Sequence, residues 1–77
     1  MKILEVTWRD SCSCIKAWST REEAMEWAEE GVIAQTVGFF VAENENWLTL
    51  AASYHENQYG GLWNIPKGTI VKRRRLK

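Results

Sequence analysis

Apolar and polar residues alternate along most of this chain, and the alternation is interrupted once by a helical period. Leu4, Val6 and Trp8 alternate with Glu5 and Thr7, which predicts a half-buried strand over residues 4–8. The small polar run Arg9-Asp10-Ser11-Cys12-Ser13-Cys14 predicts a loop. Residues 15–18 fit either a brief strand or the approach to a helix. The period then changes: Ala24, Trp27 and Ala28 fall at i, i+3 and i+4 on one face, with Glu22, Glu26, Glu29 and Glu30 turned to solvent. Ser19 with Glu22, and Thr20 with Glu23, both have capping-box spacing, and Gly31 suits the position after the last turn. A helix over about residues 20–30 follows. Its C-terminal acids oppose the helix dipole, so packing through Trp27 is expected to hold it.

Period two returns after the helix. Residues 33–43 form a long strand with Ile33, Val37, Phe39 and Val41 on one face and Ala34, Thr36, Gly38, Phe40 and Ala42 on the other. Two apolar faces mark a central strand, and Gly38 allows a sharp bend or a close approach. Glu43-Asn44-Glu45-Asn46 is a hairpin turn, residues 47–54 are the return strand, and His55-Glu56-Asn57-Gln58 is a polar loop. A strand at 61–65, a tight corner at Pro66-Lys67-Gly68 and a last strand at 69–76 complete the chain. The expected fold is α+β: a single domain over residues 1–77 with a small bent antiparallel sheet or five-stranded barrel. One helix is inserted after the first strand. A short strand, a proline corner and a final strand resemble barrels of the Sm and Src-homology type. The pattern departs from Sm proteins where a strand precedes the helix, and where Gly60-Gly61 lies one strand too early for their RNA-contact motif.

Seventy-seven residues leave a thin core, and five Trp, two Tyr and two Phe are available to fill it. So many large rings on so small a domain predict a homo-oligomer that buries some of them between subunits. Met1-Lys2 does not open a signal peptide, and no apolar run is long enough to cross a bilayer, so no membrane partner is expected. Cys12 and Cys14 are too close for an unstrained disulfide and are expected as free thiols.

The pattern Val37-Gly38-Phe39-x-Val41-x-Glu43, Leu48-Thr49-Leu50-Ala51-x-Ser53, Tyr59-Gly60-Gly61 and Ile65-Pro66-Lys67-Gly68-x-Ile70-Val71 resembles small uncharacterised proteins of bacteriophages and prophages. Glu5-Val6-x-Trp8-x-Asp10-Ser11 fits the same pattern. The resemblance implies action in the host bacterial cytoplasm, as an accessory factor that inhibits a host enzyme or anti-phage defence system.

Candidate chemistry points to binding. The single histidine, His55, has no recognisable Ser-His-Asp or Cys-His company, and Cys-x-Cys with one His falls short of a zinc site. No enzymatic activity, metal or cofactor is expected. The formal charge is zero but divided: residues 67–77 hold six bases and no acid, and the remainder holds four bases and ten acids. Three partner classes follow. A nucleotide-type ligand would take backbone N–H and hydroxyl donors from Asp10, Ser11 and Ser13, charge from Arg9, Lys67 and one of Arg73 to Arg75, and stacking from Trp47, Tyr59 or Trp63. A host bacterial protein would dock on Glu22, Glu26, Glu29 and Glu30. Single-stranded nucleic acid, in the manner of Sm-like binders, would use Lys72, Arg73, Arg74 and Arg75. Strand alternation puts only some of those four on one side.

Overall fold

The computed structural model describes residues 1–11 and 17–77, with the backbone alone for Glu30. Statements expected of Cys12, Ser13 and Cys14 lie outside the described residues. The element order is β1 (Ile3–Asp10), α1 (Arg21–Glu30), β2 (Val32–Glu43), β3 (Trp47–His55), β4 (Gln58–Pro66), a 3-10 turn (Lys67–Thr69) and β5 (Ile70–Arg75). The five strands make one antiparallel sheet in the order β4-β3-β2-β1-β5. The sheet is not closed into a barrel: β4 and β5 are its two edges, and no ladder joins them among the described residues. The 3-10 turn carries the chain from one edge strand to the other. Thr69 Oγ1 donates to the Pro66 carbonyl at 2.7 Å within that turn, and the Lys67 amide donates to the Asn46 carbonyl at 2.9 Å.

The sheet bends over a small core. Leu4, Val6, Trp8, Leu48, Leu50 and Ile65 are buried, with Ala34, Phe40 and Ile70 packed against them. Each of the fully buried Val6, Leu48, Leu50 and Ile65 contributes about 1.5–3 kcal/mol through burial. Trp8 Nε1 donates to Thr36 Oγ1 at 3.0 Å, which satisfies the one polar atom of the largest ring in the core. Gly38 faces Leu4 and is itself buried. A Cβ there would lie 2.7 Å from the Ala51 carbonyl oxygen, so the glycine is what lets β2 and β3 approach this closely. The β2–β3 register slips between Phe40 and Ala42, and the bulge adds to the bend. Val41 therefore does not continue the Ile33–Val37–Phe39 face as simple alternation predicts.

Several boundaries move outward from the sequence reading. Arg9 and Asp10, expected in a loop, end β1 and pair with Ile33 and Val32. Tyr59 and Gly60 belong to β4. The expected loop at 55–58 shrinks to a two-residue turn in which Glu56 (φ 47°) and Asn57 (φ 64°) take left-handed backbone conformations. That geometry matches the right-handed twist of the flanking strands.

The helix departs most from expectation. Its N-terminus is the Thr20 capping box: Thr20 Oγ1 accepts from the Glu23 amide, and Glu23 Oε1 accepts from the Thr20 amide. Residues 21–29, however, are all exposed, and Trp27 keeps 37% of its surface in solvent. Trp27 does not pack the helix into the core. The cause is the single residue Gly31 (φ 57°, ψ 169°), which carries α1 directly into β2. A twelve-residue strand spans about 40 Å and a ten-residue helix about 15 Å. Their summed length of about 55 Å is comparable with the 53 Å long axis of the molecule, and α1 makes no extensive contact with any strand of the sheet among the described residues.

Candidate anion-binding cleft

The β1–β5 register sorts the C-terminal bases by face. Leu4 pairs with Arg75 and Val6 with Arg73, so these two arginines share the face of the buried β1 residues. Glu5 pairs with Arg74, which lies on the opposite face and bonds the Glu5 carboxylate at 3.3 Å. Lys2 has the same strand parity as Leu4, and its ammonium sits 4.0 Å above the Phe40 ring. The result is a cleft of about 260 Å³ lined by Lys2, Leu4, Glu43, Arg73 and Arg75.

Glu43 is the acid in this basic surround. It ends β2, beyond the bulge, and its Oε2 takes Lys67 Nζ and Arg73 Nη1 at 3.0 Å each. These ion pairs link β2 to the 3-10 turn and to β5. Hydrogen bonds from Lys67 and then Arg73 hold the Glu43 carboxyl below its ordinary value of 4.5. Arg75 has no ion pair among the described residues, and the four ionisable residues lining the cleft sum to two net positive charges. A space with a guanidinium, an ammonium and one apolar wall can take a phosphate-sized anion with charge-assisted hydrogen bonds.

The structure distributes the ligand residues expected from sequence over separate places. Arg9, Asp10 and Ser11 stand at the far end of β1, about 23 Å along the strand from Lys2. Trp47 pairs with Pro66 at the same end as Lys67 and Glu43. Trp63 pairs with Leu50 on edge strand β4 and is 52% exposed. Tyr59 lies near the β3–β4 turn, its ring 5.2 Å from that of Tyr54, beside a second hollow of about 210 Å³. His55 is at that turn too, 3.7 Å from Glu56. Ser13 lies outside the described residues. Of the expected ligand set, Arg73 and Arg75 line the basic cleft, and Lys67 and Trp47 share its neighbourhood.

Glu22, Glu26 and Glu29 are exposed along α1, as expected. Lys72 and Arg74 lie on the opposite face of β5 from Arg73 and Arg75, so the basic run is two half-patches. Lys2 and Glu43 are the cleft residues that sequence reasoning did not single out. Lys2 carried a weak signal, its parity with Leu4. Glu43 meets Arg73 across thirty residues, and no local pattern announces such a contact.

No helix among the described residues is long and apolar enough to cross a membrane. Set against protein-family models, curated proteins and solved structures, the chain matches none of them.

Proposed function

We propose that this protein is a stoichiometric binder of a small phosphate-bearing ligand of nucleotide type, and that it performs no turnover. The observation that carries the reading is the cleft in which Arg75 and Lys2 stand beside the Glu43–Arg73 pair with a net positive charge. At about 260 Å³ the cleft is slightly smaller than the roughly 300 Å³ at which drug-sized pockets begin. It suits the phosphate portion of a ligand, with the remainder reaching toward Lys67 and exposed Trp47. The resemblance to phage and prophage proteins supplies the biological setting: sequestration of a nucleotide signal in the host bacterial cytoplasm, which blocks an anti-phage defence system. A host protein docked on the acidic face of α1 would serve the same end.

A second reading, single-stranded nucleic-acid binding, is favoured by one observation. Trp47 and Trp63 are both substantially exposed on the β3–β4 pair, one on each face by register, and each offers a ring on which a base could stack.

Titration calorimetry at low salt with ADP, a cyclic dinucleotide and a thymidine oligonucleotide separates the readings. Saturable binding of a mononucleotide or dinucleotide, weakened about 10- to 100-fold by Arg75→Ala, is expected from loss of a charge-assisted hydrogen bond. Binding of the oligonucleotide alone, with a steep salt dependence, would move the assignment to the second reading. No heat from any of the three at millimolar ligand would remove both.

A further inference from the structure

The described chain is too extended for its length. A compact domain of 77 residues has a radius of gyration of about 11 to 12 Å, whereas this one measures 16.0 Å. A folded monomer of 8.9 kDa exposes about 4,800 Å², whereas this one exposes 6231 Å². The excess is about 1,400 Å², more than the roughly 800 Å² that each partner buries in a standard interface.

Two apolar surfaces contribute to the excess. One is α1, whose apolar face of Ala24, Trp27 and Ala28, with Met25 beside it, lies in solvent. A ten-residue helix is only marginal in water unless it packs against something. The other is the outer face of the sheet. Because Leu4, Val6 and Trp8 are buried, their β2 partners Gly38, Thr36 and Ala34 share the inner face, and Ile33 and Val37 point outward. These two are 58% and 55% exposed. Arg9 pairs with Ile33 on this outer face, and Lys72 is reached across Thr7. The helix carries one arginine and five glutamates. Its opposite is therefore present on the sheet of the same chain, with which α1 makes no extensive contact among the described residues.

We infer that the occupant of each surface is a second copy of this chain. The apolar face of α1 around Trp27 seats on Ile33 and Val37 of the neighbour, and Glu22, Glu26 and Glu29, on the far side of the helix, feel the neighbour's Arg9 and Lys72 at long range when salt is low. Zero net charge with strongly separated halves suits such self-pairing. This inference does not depend on the ligand proposed above.

Multi-angle light scattering on the purified full chain at about 50 μM should give at least twice the 8.9 kDa chain mass. Trp27→Ser, on the helix and outside the buried core of the sheet, should shift the protein to monomer at unchanged strand content by circular dichroism. The triple reversal Glu22→Lys, Glu26→Lys, Glu29→Lys should be monomeric at low salt, as should Arg9→Glu with Lys72→Glu. An equimolar mixture of these two charge variants should regain the assembled mass. A wild-type monomer at every concentration would overturn the proposal, and so would an assembly that ignores Trp27→Ser and both reversals. A monomer whose Trp27 fluorescence is nonetheless shielded from quencher would show α1 folded on its own sheet, which also overturns it.

Discussion

Replacing Gly38 by alanine tests whether the bend of the sheet depends on the contact between β2 and β3. The new methyl carbon would stand 2.7 Å from the Ala51 carbonyl oxygen and 3.2 Å from Leu50 Cβ. The first of these is backbone, and it lies in the most buried stretch of β3, so neither neighbour can turn aside by changing rotamer. The strands must separate by several tenths of an ångström, which loosens Leu4, Leu48 and Leu50 around them. Overpacking of this kind costs about 1–3 kcal/mol. For a domain of this size that corresponds to a fall in Tm of roughly 4–20 °C. Gly60→Ala is the matched control, because its Cβ would find only the Ser53 Cβ at 3.9 Å, an ordinary contact. There the reduced freedom of the unfolded chain should leave stability unchanged or raise it by up to about 1 kcal/mol. The assay is urea unfolding followed by tryptophan fluorescence, with all proteins at one concentration so that any association is held constant. If Gly38→Ala and Gly60→Ala unfold at the same urea concentration, the close approach at Gly38 does not hold the bend.

Glu56 takes a left-handed conformation in the β3–β4 turn, where asparagine is at home, so Glu56→Asn should stabilise the protein by about 0.5–1 kcal/mol in the same urea assay. The Glu43 carboxyl has its folded pKa below the ordinary 4.5, so its ion pairs stabilise the fold fully above that value, and the contribution fades as pH falls through the lowered one. The Tm gap between wild type and Glu43→Gln should therefore be open at pH 7 and close at acid pH; a gap independent of pH would contradict the ion-pair assignment. Glu43→Gln also removes the one negative charge from the cleft lining, so it should tighten phosphate binding several-fold in calorimetry while lowering stability.

Short-range chemistry was legible in the chain itself. The Thr20–Glu23 capping box, the alternation of Leu4, Val6 and Trp8, the proline corner and the glycine in the middle of β2 each depend on residues within a few positions of one another, and each is present in the fold. The parity of the C-terminal bases was legible too, because a strand alternates whatever its partner, and Arg73 and Arg75 do separate from Arg74. Strand ends were less so. Arg9, Asp10 and Gly60 lack apolar character, and with Tyr59 they enter strands because an adjacent strand supplies backbone partners.

What only the tertiary structure decided is how distant segments meet. Alternation is the same in an open sheet and a barrel; the absence of a β4–β5 ladder among the described residues, with a 3-10 turn spanning the gap, made this sheet open. An apolar stripe on a helix states that the stripe must be covered and not by what, and Gly31 directed α1 away from the core that Trp27 was expected to enter. The cleft belongs to the same class. Lys2, Glu43 and Arg75 lie at opposite ends and in the middle of the chain, and the antiparallel registers of β1 with β2 and β5 bring them to one place.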